Sequence, residues 1–387
     1  MYRNPFSDAE LARRLAATRA GMAGQNVDVA VFSVPESVFY LTGLDHWGYF
    51  APHYLIVAQD GAPVLITRAM EGGTIRDQLR DIEFDGHSDE SGDGAALRLG
   101  TRLTAMEPHA RRLSIGIEMR GAGMSVADFA HLRSSLPEAR LVDITPLSPR
   151  LRRVKSAEEI AYTRAAARVS SAGMAAALAG IADGVPEAEV AAEVLAAMTR
   201  AGGAPPGFGP FLRPVTRLGE EHATWGDGRY RNGQPVFIEL SGCVARYHAP
   251  MGRLVHPGGI TEADAHMAEV TNAAFDAVCA ALRPGARARD VYAAWQGVVD
   301  DAGLAHYRRH HCGYIVGIAL PPSWTGGNVV TGLRHDSEME IQTGMSFHVL
   351  SWLTETGQGS FFRSDCVHLG PEWAEVLTDG PRGPILV

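Results

Sequence analysis

The two halves of this chain distribute their strands and helices differently, and the change near residue 150 constrains the fold more than composition does. In the first half, strand-like and helix-like segments alternate. A helix-patterned opening (MYRNPFSDAELARRLAATRAGM) leads into VDVAVFSVPESVFYLTGL, a β-branched run that Pro35 interrupts, and then into YLIVAQDGAPVLITR, two strands around an Asp60–Gly61 turn. The polar, Gly- and Asp-rich stretch from Arg76 to Gly100 reads as a strand end and loop, and LSIGIEMRGAGMSVADFAHLRSSLP as strand, loop and helix. That alternation predicts an α/β layer closing by about residue 150. In the second half the elements come in runs. Ser156 and Glu159 in RRVKSAEEIAYTRAA have the spacing of a capping box, which predicts a helix there, and PEAEVAAEVLAAMTRAG predicts a second. GGAPPGFGPF then ends the helical run. Long strands follow in QPVFIELSGCVARYHAPMGRLV and MSFHVLSWL, with two helices between Thr261 and Gly303, so this half is expected to be α+β with hairpin strands.

With 387 residues the chain is long enough for two such domains, each with its own core. Its 44 acidic and 35 basic side chains give a net charge of −9, and no basic run interrupts that balance, so nucleic acid is not an expected partner. No apolar run reaches the roughly 18–20 residues of a membrane span, and the amino terminus lacks the apolar core of a signal peptide. Cys243, Cys279, Cys312 and Cys366 stand far apart without a CxxC pair, which disfavours a zinc knot or a disulfide framework. A reduced, cytoplasmic protein with no membrane partner is expected. Lys155 is the one lysine, so an amine nucleophile has no other source.

Three segments carry side chains suited to chemistry. His222 lies in the turn-rich loop EEHATW beside Trp225, where a histidine is either a surface residue or a proton-transfer group. Glu239 lies in VFIELSG, a strand apolar enough to be buried, where a carboxylate is costly unless paired, protonated or bound to a ligand. Strand alternation puts Phe237, Glu239 and Ser241 on one face. HYRRHHCGYIVGIALPPSWTGG gathers His310, His311, Tyr314 and Trp324, but strand neighbours point to opposite faces, so His310 and His311 reach one ion only if the chain turns there. GMSFHVLSW and GQGSFFRSDCVHLG add His348, Arg363, Asp365 and His368, with Arg363 and Asp365 on a shared face.

The order of these segments, GQPVFIEL…YHAPMGR, GYIVGI, GMSFHVL and FFRSD…EVLTD, resembles the creatinase and prolidase family. RRVKSAEEIAYTRAA resembles the start of that family's catalytic domain, and PESVFYLTG part of its first domain. The resemblance implies an α/β amino-terminal domain (residues 1–150) plus an α+β pita-bread carboxy-terminal catalytic domain (residues 151–387). It also implies a homodimer in which the partner's first domain partly closes each active site. Metal-dependent members hold two divalent ions with Asp, Asp, His, Glu and Glu, and motif for motif these fall on Glu239, Pro250, Tyr314, Leu350 and Asp365. Pro250 and Leu350 have no ligating side chain and a phenol replaces imidazole poorly, so no metal and no other cofactor is expected.

Metal-free members carry a histidine where His222 stands. Among them the chain resembles the ectoine hydrolases in HATW, IELSGCVARYHAPMGR, GYIVGIALPPSW and YLTGLDHWGYFAPHYLIV, the last of which would lend Trp47, Tyr49 and His53 to a site. The implied reaction is hydrolytic opening of the cyclic amidine ectoine, or hydrolysis of another small amidine, guanidine or cyclic amide, with a non-catalytic scaffold as the rival class. In that reading His222, Glu239 and Asp365 do the chemistry. His222 is the general base and acid, while the carboxylates hold the amidinium or one of them attacks its carbon. Arg253 or Arg363 would fix the substrate carboxylate, and Trp324, Trp225 or Tyr314 would face the cation.

Overall fold

The structure is a computed structural model that describes residues 3–90, 92–106, 113–327 and 330–387. It comprises two compact units, Met1–Arg152 and Arg153–Val387. Among the described residues no helix is long and apolar enough to cross a membrane.

The first unit has strands β1 (Val29–Phe32), β2 (Tyr54–Ala58), β3 (Val64–Arg68), β4 (Glu83–His87), β5 (Ser114–Ile117) and β6 (Arg140–Asp143). They form one mixed sheet in the order β4-β3-β2-β1-β5-β6. β1, β2 and β3 run antiparallel, with Asp60 and Gly61 between β2 and β3, and the remaining neighbours are parallel. Helices α1 (Asp8–Ala23), α2 (Pro35–Thr42), α3 (Gly72–Gln78), α4 (Gly94–Met106), α5 (Val126–Ser135) and α6 (Leu147–Leu151) accompany them. Pro35 opens α2 at its first position, where the ring's fixed φ suits a helix and its missing N–H costs nothing. The stretch read as loop between Arg76 and Gly100 instead holds the end of α3, all of β4 and the first half of α4. Its glycines hide the helix from propensity, but they serve packing: a Cβ at Gly100 would lie 2.9 Å from Ser135 Oγ in α5.

The second unit opens with α7 (Ala157–Gly180) and α8 (Glu187–Arg200). The capping box of α7 is formed: Glu159 N–H donates to Ser156 Oγ at 3.4 Å and Ser156 N–H to Glu159 Oε2 at 2.9 Å. Then come β7 (Phe211–Pro214), β8 (Val236–Val244), β9 (Tyr247–His256), α9 (Glu262–Ala281), α10 (Ala288–Asp301), β10 (Gly313–Ile315), β11 (Ser346–Leu353), β12 (Phe361–Leu369), β13 (Ala374–Val376) and β14 (Ile385–Leu386). The main sheet runs β10-β11-β12-β9-β8-β7 with every neighbour antiparallel, while β13 pairs with β12 and β14 lies parallel to β9.

One face of this sheet carries the helices. Ile238, Leu240, Met251 and Val255 share a core cluster with α7 and α8, and a Cβ at Gly242 would stand 2.2 Å from Ala166 O of α7. On the same face of β12, the Arg363 guanidinium lies 3.9 Å from the ring of Phe275 in α9. The other face, reached by the alternate residues of each strand, carries Glu239, His348, Ser364 and Tyr314.

Candidate active site

Register puts Glu239 at the middle of that second face. It stands opposite Phe211 of β7 and Gly252 of β9; Gly252 stands opposite Ser364 of β12, and Ser364 opposite Leu350 of β11. Cross-strand partners share a face, so these side chains form one row. Two residues along β11, His348 faces the same way and stands opposite Tyr314 of β10. Four strands thus bring Glu239, Ser364, His348 and Tyr314 to one place.

The hydrogen bonds there are few and directed. His348 Nδ1 meets Tyr314 Oη at 2.8 Å and His348 Nε2 meets Ser364 Oγ at 2.8 Å, while Trp324 Nε1–H donates to Tyr314 Oη at 2.8 Å. Glu239 Oε1 lies 3.7 Å from His348 Nε2, is buried, and has no hydrogen-bond partner. Burial pushes the Glu239 carboxyl up to about 8 against the weaker pull of Arg213. Burial likewise holds the His348 imidazole well below its ordinary range and the Tyr314 phenol well above its own. Burial thus biases all three groups toward their neutral forms.

Aromatic rings wall the cluster. Phe208 stands 4.8 Å edge-on to Trp324 and stacks on His222 at 5.5 Å, and Phe211 lies 5.4 Å from Trp324 and 6.3 Å from His222. His222 is exposed, at φ 56°, a left-handed conformation that side chains other than glycine adopt reluctantly. Arg213 holds the loop around it: its Nη1 donates to the carbonyls of Glu220 and of Ala223, the latter at 2.8 Å. Arg213 is two residues from Phe211 on β7, hence on the face of Glu239. Its buried Nε has no hydrogen-bond partner, and among the described residues it forms no ion pair.

Three of the residues expected in the site lie on the other face. Asp365 follows Ser364 on β12 and therefore points under α9. There its Oδ1 accepts from Arg253 Nη2 and from Thr378 Oγ1, both at 2.9 Å, and its Oδ2 accepts from Arg363 Nε at 2.9 Å. Arg253 also donates to the carbonyls of Gly252, Ser364 and Pro381, and Arg363 to Asn272 Oδ1. Asp365, Arg253 and Arg363 are thus a buried, mutually satisfied structural cluster rather than a catalytic acid and its substrate arginines. Trp225 packs, partly buried, against the α7–α8 core cluster, with its ring near Gly209, the neighbour of Phe208. Trp47 is exposed in the first unit, where Tyr49, His53 and His46 pack ring against ring with centroids 4.7–4.9 Å apart. The sequence flagged His348 without giving it a role in the site, and it missed Ser364 together with Arg213, Phe208 and Phe211. Continuing the alternation from Glu239 through the strands would have put His348 and Ser364 in the site.

The donors present do not fit a pair of metal ions. Of the five positions expected from the resemblance to hold metal, Pro250 and Leu350 offer no donor side chain, Tyr314 is a phenol engaged by Trp324 and His348, and Asp365 faces away, spent on two arginines, with Ser364 standing in the row of Glu239 instead. Among the described residues no three His, Cys, Asp or Glu side chains converge as a ligand set.

Residues 14–154 match the creatinase/prolidase N-terminal domain and residues 161–370 match metallopeptidase family M24. The chain is 30% identical over 365 residues to the uncharacterized hydrolase/peptidase y4tM of Sinorhizobium fredii, covering 91% of this chain and 92% of that protein. It is 28% identical over 399 residues to the ectoine hydrolase of Halomonas elongata, covering 98% and 97%. Among solved structures, a prolidase from Thermococcus sibiricus superposes with a TM-score of 0.86 at 19% identity, over 98% of this chain and 100% of that one. The dipeptidase PepE of Mycobacterium ulcerans does so at 0.82 and 22%, over 99% of each. Two domain matches in sequence, a pita-bread sheet and full-length relatives agree: the chain belongs to the creatinase/M24 family of hydrolases.

Proposed function

We propose that this protein opens the ring of ectoine, giving N-acetyl-diaminobutyrate, without a metal ion. The observation that carries this reading is Glu239, a buried carboxyl with an unpartnered oxygen beside Tyr314, Trp324 and a neutral His348. Such a group calls for a cationic ligand. Ectoine is an amidinium that also bears a carboxylate, and the unpaired Arg213 on the same face supplies a counter-charge for the latter. The ectoine hydrolase of Halomonas elongata among the full-length relatives supports the same substrate.

In this mechanism the amidinium binds against Glu239, which gives up its proton to solvent and ionises. Water adds to the amidine carbon with His222 accepting a proton, either directly or after the Glu239 carboxylate has added to that carbon, in which case the Glu239 C–O bond breaks again and the carboxylate is expelled as the water oxygen takes its place. The water oxygen becomes the acetyl oxygen, the ring C–N bond breaks, and His222 returns the proton to the departing nitrogen, which leaves as an amine. Tyr314 and Trp324 face the cation. We further propose a homodimer in which the exposed Trp47 of a partner's first unit closes the site.

The test is incubation with ectoine, creatine and a Xaa-Pro dipeptide, each with and without chelator, followed by mass spectrometry. The expected result is chelator-insensitive conversion of ectoine to a product heavier by one water. Consumption of creatine instead would assign a creatinase-like activity to the same cation site, and chelator-sensitive cleavage of the dipeptide would overturn the metal-free reading.

A further inference from the structure

We infer that Trp324 and Tyr314 lock His348 in the neutral tautomer that carries its proton on Nε2, making His348 the donor that positions Ser364 and Glu239 for reaction. The direction of the chain follows from one group that can only donate. The indole N–H of Trp324 has no lone pair to offer, so Tyr314 Oη accepts at that 2.8 Å contact. The phenol keeps a single O–H, and among the described residues its acceptor is His348 Nδ1, also at 2.8 Å. A buried hydroxyl without an acceptor is costly, so that proton points at Nδ1. An imidazole that accepts at Nδ1 carries its own proton at Nε2.

Nε2–H then faces Ser364 Oγ at 2.8 Å, with Glu239 Oε1 at 3.7 Å. Among the described residues Ser364 Oγ has no other hydrogen-bond partner, so once its oxygen has accepted, its hydroxyl proton is left to donate into the site. The start of the chain is fixed by packing, because Trp324 is 2% exposed and held between Phe208 and Phe211. Every proton in the series points from Trp324 toward Glu239. A second proton on His348 would turn Nδ1 from acceptor to donor and leave the Tyr314 O–H without its acceptor, so His348 is held as an Nε2 donor where a free histidine would switch roles. When Glu239 ionises, the Nε2–H held 3.7 Å from its Oε1 favours the charged form. His348 acts through Glu239 and is a positioning residue.

The functional half of this inference rests on the proposed role of Glu239, whereas the tautomer does not, and the test keeps them apart. Nitrogen-15 NMR of the full chain with labelled histidine, the resonance assigned by loss in His348→Gln, reads the tautomer at neutral pH. The proton should sit on Nε2, with Nδ1 shifted as a hydrogen-bond acceptor, and Tyr314→Phe should return Nδ1 to the value of a free ring nitrogen. A proton on Nδ1, or on both nitrogens, overturns the inference whatever the substrate. For turnover of any substrate found in the screen above, His348→Gln keeps an N–H near the Nε2 position and should retain at least tenfold more kcat than His348→Leu at similar KM. Equal losses in the two variants would overturn the positioning role while leaving the substrate assignment intact.

Discussion

Glu239 carries a measurable stability cost because its folded state holds a proton that the unfolded chain gives up. Burial raises its carboxyl from 4.5 to about 8. Below pH 4.5 both states are protonated, so the group weakens nothing. Between 4.5 and about 8 only the unfolded state releases its proton, so stability falls as pH rises, and above about 8 the loss is complete. The whole loss is on the order of 5 kcal/mol. Glu239→Gln, which has no such proton, is therefore expected to match the wild type in urea midpoint near pH 4.5, to exceed it at pH 8, and to lose turnover at both. A midpoint difference that does not change with pH would show that Glu239 is not held protonated. This residue was legible in sequence because a carboxylate inside VFIELSG is conspicuous. His348 was visible but its role was not, since its partners lie 34 residues upstream on β10 and 16 downstream on β12, and only register brings them together.

At the scale of the element, β12 separates two jobs by the period of the strand. Ser364 serves the site, and the next residue, Asp365, ties Arg253 and Arg363 under α9. All three charged groups are at most 3% exposed, so removing the acid leaves the buried Arg253 guanidinium without a counter-charge and Arg363 with only Asp276, 4.0 Å away. Asp365→Asn is expected to cost about 3–5 kcal/mol of stability, read from the urea midpoint, while kcat per folded molecule stays near that of wild type. The opposite pattern, a stable protein without turnover, would return Asp365 to the catalytic set. Matching FFRSD to a ligand motif placed the acid one residue off, and a one-residue step along a strand is a change of face. The capping box of α7 was readable for the reverse reason: its two hydrogen bonds join residues three apart, so spacing alone specifies them. α4 was not readable, because Gly94 and Gly100 argue locally against a helix that packing on α5 sustains.

At the scale of the whole molecule, the alternation of elements before residue 150 and their segregation after it made both sheet types legible, but not what an exposed face is for. The first unit leaves Trp47 60%, Phe50 80% and Met70 68% exposed, with the Arg68 guanidinium 4.6 Å from the Phe50 ring. Large apolar side chains left in water at one segment are a common mark of a protein interface. If they close a partner's site in a homodimer, each active site draws Glu239 from one chain and Trp47 from the other. Trp47→Ser and Glu239→Gln proteins should then both be inactive as homodimers, and subunit exchange between them should restore activity. In a mixed dimer one site carries both lesions and the other neither, and half of the dimers in an equal mixture are mixed, so about a quarter of wild-type turnover is expected. Sedimentation velocity of each variant would establish that the dimer persists, and an exchanged mixture that stays inactive would place Trp47 outside the active site.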